Sequence, residues 1–165
     1  MDIVSHGLWG AIAFGRASRR SFWTALLIGM APDFFSFGLV FANGLLLHGL
    51  EFLYGLSHPP DPALIPAYAY SLYNTTHSLV VFAAMFVLVW IARGKPLMEL
   101  SAWGLHITLD IFTHNDAFFP TPFLWPISDA HVNGVPWSDP IIYFPNVLLL
   151  AVLYAWFFYK RKKSG

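Results

Sequence analysis

Cysteine is absent from the 165-residue chain, so no disulfide can staple it and no thiolate can ligate a metal. Charge is scarce: 11% of residues are charged, against roughly a quarter in ordinary soluble domains. Nine basic residues balance nine acids, so no net charge draws the chain onto nucleic acid. There is no glycine-rich loop of the kind that cradles phosphate, no internal repeat and no low-complexity run. Met1-Asp2-Ile3-Val4-Ser5-His6 lacks a basic stretch ahead of an apolar core, and no small-residue cleavage site follows. The N-terminal segment is therefore expected to be retained. What is present is apolar, at 57% of the chain. A domain this small keeps too much surface to hide such a fraction from water, and lipid is the natural solvent for the excess. Seven histidines are then unexpected, because imidazole inside a membrane is costly unless it serves something.

Five apolar segments can be read from hydropathy: Ile3 to Phe14, Phe22 to Phe52 with an interruption at Pro32-Asp33, Pro66 to Ala92, Pro96 to Thr113, and Pro140 to Tyr159. A spanning helix needs about 20 residues. The second, third and fifth segments qualify, the fourth is marginal and the first is short. The expectation is one all-α domain over 1–165, a polytopic membrane helix bundle with four full spans plus a short N-terminal helix. The basic residues fall in three clusters at alternate segment boundaries: Arg16, Arg19 and Arg20; Arg93 and Lys95; Lys160, Arg161, Lys162 and Lys163. The loops at 53–65 and 114–139 contain no basic residue and carry Asp61, Asp116, Asp129 and Asp139. The positive-inside rule places the basic clusters and the C-terminus in the cytoplasm of a cell (plasma or inner) membrane. The loop at 114–139 is rich in proline and aromatic residues and reads as an interfacial lid, either structural or substrate-shaping.

The sharpest feature is His106-Ile-Thr-Leu-Asp110-Ile-Phe-Thr-His114 in the fourth segment. Spacings of four put the three side chains on one helical face, about 6 Å apart per step along the axis. His106 and His114 then stand about 12 Å apart, too far for one ion with bonds of about 2 Å. Either two ions bridged by Asp110 or one ion with His114 beside it would fit. Counting about 1.5 Å per residue from the basic clusters places His6, Asp33, His77, His106 and Asp110 between about 15 and 22 Å up, with His114 about 6 Å higher. Five candidate ligands from four segments thus converge on one layer. Each has a plainer reading. Asp33 after Pro32 can cap a broken helix. His77, in Asn74-Thr75-Thr76-His77-Ser78, can be interhelical hydrogen-bonding glue. His6 can face water. His48, His58 and His131 read as interfacial or loop residues. Asn115 and Asp116 are either neighbours of the site or plain loop. Ser78 is not indicated as a nucleophile, since adjacent residues on a helix face different ways.

Histidine and aspartate ligands without thiolate suit zinc, manganese or iron. A site with an open position would activate water for hydrolysis. Asp33 or Asp110 is a candidate base and His114 a candidate acid.

Several pieces resemble the YdjM-type membrane-bound metal-dependent hydrolases over most of the chain: His6-Gly7, Pro32-Asp33, Thr76-His77-Ser78, His106 and Asp110 followed by Thr113, and Trp125-Pro126. That family often has His-Arg five and four residues before the Thr-His-Ser histidine, where this chain has Leu72 and Tyr73. More distantly, the order of histidines and aspartates is similar to the zinc-dependent phospholipase C and P1 nuclease group. That likeness implies that His6, Asp33, His77, His106, Asp110 and His114 are all ligands, with Asp33 and Asp110 bridging. The expected function is an integral membrane hydrolase using one or two divalent ions, acting with a metal-activated water on a membrane lipid or other amphipathic ester or phosphoester. The alternatives are a divalent-metal or proton transporter using the same cluster, or a structural ion tying helices together.

Overall fold

The computed structural model describes residues 1–48 and 65–164. Among these residues there are six α-helices and no strand: α1 (Ile3–Phe14), α2 (Arg19–His48), α3 (Ala67–Thr76), α4 (Leu79–Arg93), α5 (Ser101–Thr113, entered through a 3-10 turn at Met98–Leu100) and α6 (Pro140–Ser164). The loop expected at 53–65 falls almost entirely outside the described residues, as do His58, Asp61 and Glu51.

Local chemistry sets the helix ends. Asp2 caps α1 by accepting the Ser5 N–H at 2.9 Å. Ser18 does the same for α2 through the Ser21 N–H at 3.0 Å. Ser78 caps α4 through Val80 and Val81, and α4 stops at Gly94, whose φ of +67° suits glycine.

Two expectations about continuity are corrected. The helix does not break at Pro32-Asp33: α2 passes through Pro32, and Asp33 is interior rather than a cap. Proline cannot donate to the Ile28 carbonyl one turn back, and two other carbonyls of this stretch take side-chain partners. The Pro32 carbonyl accepts the Ser36 hydroxyl at 2.8 Å, and the Gly29 carbonyl accepts Nδ1 of His106 at 2.7 Å. Conversely, the third segment is not one helix. It breaks at His77-Ser78, and α3 and α4 meet at a 59° bend.

Two helices, α2 and α6, are long and apolar enough to cross a membrane, or three spans form if α3 and α4 act as one bent span. Four full spans were expected; α5, with 13 residues, rises only about 20 Å. The outer surface is apolar: Leu27, Phe34, Leu46, Ile91, Ile141, Phe144 and Leu148 are all exposed. The interior is unusually polar, burying Ser5, His6, Asp33, Ser36, His77, Ser78, His106 and Asp110. That inversion suits a protein solvated by lipid. Small residues let α1 lie against α2: a Cβ on Gly29 would meet the His6 carbonyl oxygen at 2.7 Å, and one on Gly10 would meet the Ala25 carbonyl oxygen at 2.9 Å. A satellite core of Ile65, Ala69, Tyr73 and Phe119 seals the site on the side of the 114–139 loop.

Candidate metal centre

Three parts of the fold deliver the site. Pro32 and the helix through it present Asp33 from α2; the α3–α4 bend presents His77; α5 presents His106 and Asp110 one turn apart. These four buried residues each offer one ligand atom, and the atoms lie within 4.8 Å of one another. His77 Nε2 and His106 Nε2 are 3.0 Å apart. Asp110 Oδ2 lies 3.2 Å from His106 Nε2 and 3.5 Å from His77 Nε2. Asp33 Oδ1 lies 3.4 Å from His77 Nε2 and 3.7 Å from His106 Nε2. Bonds of about 2.0–2.1 Å in a tetrahedron put neighbouring ligand atoms about 3.3 Å apart. The observed separations scatter around that edge.

The tautomers decide what these atoms can do. His106 Nδ1 faces the Gly29 carbonyl, which only accepts, so the ring proton sits on Nδ1. His77 Nδ1 faces the Tyr73 carbonyl at 3.1 Å, with the same consequence. Both Nε2 atoms therefore turn lone pairs toward each other and toward two carboxylates. Asp110 Oδ2, fully buried, has no hydrogen-bond partner among the described residues. Two neutral imidazoles and two carboxylates carry a charge of about −2, which a divalent cation neutralises. The donor set fits a metal, and Asp33, His77, His106 and Asp110 could hold one ion.

The other oxygen of Asp110 has different company. Its Oδ1 takes His6 Nε2 at 2.9 Å, lies 3.5 Å from His114 Nε2 and contacts the Met1 amine. His6 stacks on His106 with ring centroids 3.6 Å apart. Its Nδ1 is buried without a partner among the described residues. His114 caps α5 in extended backbone rather than continuing the helix face. That turn brings it down to Asp110, where continued helix would have left it a step above the layer. His114 Nδ1 lies 2.8 Å from the Phe119 carbonyl, which only accepts, so the ring proton sits there. All six expected residues thus meet around Asp110, but only four share the metal-compatible group, and His6 and His114 lie on its far side.

Tyr73 is the residue that sequence reasoning missed. Its ring stacks on His77 with centroids 3.8 Å apart. Its hydroxyl donates to the Phe119 carbonyl at 3.0 Å and lies 3.0 Å from both His114 Nδ1 and Thr121 Oγ1. The available signal was its place four residues before His77, on the same helix face. Asn115 and Asp116 take no part: Asp116 pairs with His131 at 3.1 Å, both exposed, and Asn115 Oδ1 accepts the Ala117 N–H. Ser78 Oγ donates to the Trp125 carbonyl and tethers the 114–139 loop.

Comparison with protein-family models, with curated proteins and with solved structures returned no match.

Proposed function

We propose that the chain is an integral membrane hydrolase that uses a divalent metal, zinc first and manganese or iron next, to cleave a lipid ester or phosphoester. One observation carries this reading: two imidazole nitrogens 3.0 Å apart have their protons tied off on backbone carbonyls, with a partnerless buried carboxylate oxygen beside them. Such an ion, when bound, acts as a Lewis acid and lowers the pKa of water to about 7. The residues then divide the remaining work. His77, His106 and Asp110 have side chains with no exposure, whereas Asp33 keeps 8% and His114 keeps 10%. The latter two can exchange protons with the outside, which fits Asp33 as base and His114 as acid. Asp110 bridges to His6 and His114, and the full six-residue set would serve if a second ion binds. The resemblance to the YdjM-type hydrolases supports the same reaction class. In the topology proposed here α5 completes a fourth crossing, and the basic clusters face the cytoplasm.

The test is metal analysis of the purified protein beside His106→Ala and Asp110→Ala, followed by hydrolysis assays on phospholipid and lipid-phosphate panels. Wild type is expected to carry metal and both variants to lose it. Absence of metal from all three would end the proposal. A second reading has its own support: four protein donors near a closed tetrahedron also describe a structural ion. Asp33→Asn and His114→Ala separate the two. A structural ion predicts that no substrate is turned over by any form; a catalytic one predicts activity that falls in His114→Ala while metal stays bound. The transporter alternative needs further donor layers along a path, and the described residues supply one group of four.

A further inference from the structure

A cavity lies at the opposite pole from the outer loop, where the α1–α2 connection meets the end of α6. Its volume is about 570 Å³, and Arg16, Lys160, Arg161 and Lys163 line it together with Ser18 and Phe157. No acidic residue contributes to the wall. We infer that this groove binds the headgroup of an anionic phospholipid.

Three features set the occupant. The first is charge. Four cations converge on one concavity from two separate stretches of chain, and an anion is the complementary ligand. A zwitterionic headgroup would bring its own ammonium into that field and be disfavoured. The second is depth. The groove sits where α2 begins and α6 ends, and these are the two helices long and apolar enough to cross a membrane. Exposed Trp23, Trp156 and Tyr159 ring the same level, as aromatic side chains do at a lipid–water boundary. Lys160 Nζ lies 4.3 Å above the Trp156 ring, holding a cation at that boundary. The third is the mixed wall. Phe157 stacks on Phe22 at 6.2 Å between centroids and gives the groove an apolar floor beneath its basic rim. Ser18 accepts the Ser21 N–H at 3.0 Å and can donate its own proton to a phosphate oxygen. A phosphate above and a glycerol–acyl junction below match that wall, whereas a free phosphate would leave the floor without a partner. The inference does not depend on the metal centre.

The experiment is native mass spectrometry of the full chain released from nanodiscs of mixed phosphatidylcholine and phosphatidylglycerol. Wild type is expected to retain phosphatidylglycerol selectively. Arg16→Gln/Lys163→Gln should weaken retention roughly ten- to thirtyfold, given the usual contribution of each cation near an anionic surface. Arg16→Lys/Lys163→Arg should restore it, which separates lost charge from lost folding. Arg93→Gln/Lys95→Gln, which removes the same charge outside the groove, should leave retention intact. Equal loss in the two glutamine variants would overturn the inference, because bulk surface charge would then explain the binding. Absence of selectivity in wild type would overturn it too, as would displacement of the lipid by millimolar inorganic phosphate.

Discussion

The two oxygens of the Asp110 carboxylate face unlike surroundings. Around Oδ2, every histidine is locked: His77 and His106 are fully buried, each with Nδ1 bound to a backbone carbonyl and Nε2 turned inward. Around Oδ1 the partners are looser. His6 has a nitrogen without a partner among the described residues, and His114, though its Nδ1 is held by the Phe119 carbonyl at 2.8 Å, keeps some exposure. Backbone carbonyls hold ligand histidines in one tautomer at no cost in flexibility, which is how metal sites are commonly oriented. Polar groups that retain exposure or unpaired nitrogens are better suited to moving protons. One carboxylate thus joins the ion-holding group of four to two further imidazoles outside it.

The largest expected effect breaks this pairing on the Oδ2 side. His106→Ala leaves His77 as the one imidazole between Asp33 and Asp110, and breaking a buried charge arrangement typically costs about 3–5 kcal/mol. Bound metal should fall to background by elemental analysis, and the melting temperature should drop sharply. His6→Ala, on the Oδ1 side, should keep the metal. Equal metal loss in the two variants would show that the sides form one cage and would dissolve the contrast.

A smaller effect tests how the sides communicate. Tyr73→Phe keeps the ring on His77 and removes the hydroxyl that reaches His114, Phe119 and Thr121. Stability should fall by about 1 kcal/mol, the usual worth of a hydrogen bond. Hydrolysis should fall roughly tenfold with metal content unchanged, since one positioning interaction near a proton-transfer group is lost. A parallel fall in metal would mean that Tyr73 acts through His77 instead.

How much of this was legible in the sequence follows from which interactions are local. The all-helical class and the polar layer could be read because helical rise converts residue number into depth, so His6, Asp33, His77, His106 and Asp110 aligned on counting alone. The bend at His77-Ser78 could not, because the polar run Asn74-Thr75-Thr76-His77-Ser78 reads equally well as interhelical hydrogen-bonding groups within one continuous helix. Passage of α2 through Pro32 was hidden for the opposite reason: the proline signals a break, and that the Ser36 and Thr76 hydroxyls and His106 bind carbonyls of this stretch shows only in the fold. The role of Gly29 was invisible because its contribution is a carbonyl, which any residue carries. Tyr73 stood out only as a departure from a family pattern, and its partners Phe119 and Thr121 lie more than forty residues away, beyond any spacing argument.

The smallest effect on hydrolysis separates the two sides by geometry alone. A Cβ on Gly10 would lie 2.8 Å from the Ala102 Cβ and 2.9 Å from the Ala25 carbonyl oxygen, so α1 must move away from both α5 and α2. Overpacking of this kind costs about 1–3 kcal/mol. Because α1 carries His6 and none of the four metal-compatible residues, Gly10→Ala should lengthen the 2.9 Å contact to Asp110 Oδ1 while leaving the Oδ2 side in place. The expected result is a lowered melting temperature, a loss of hydrolysis of several-fold and unchanged metal. Gly38→Ala is the matched control: its new Cβ meets only the Phe34 ring at an ordinary 3.5 Å, and alanine in a helix interior should stabilise by up to about 1 kcal/mol. Metal loss in Gly10→Ala, with Gly38→Ala unaffected, would place α1 inside the ion-binding side and move the boundary between holding and proton transfer from Asp110 to His6.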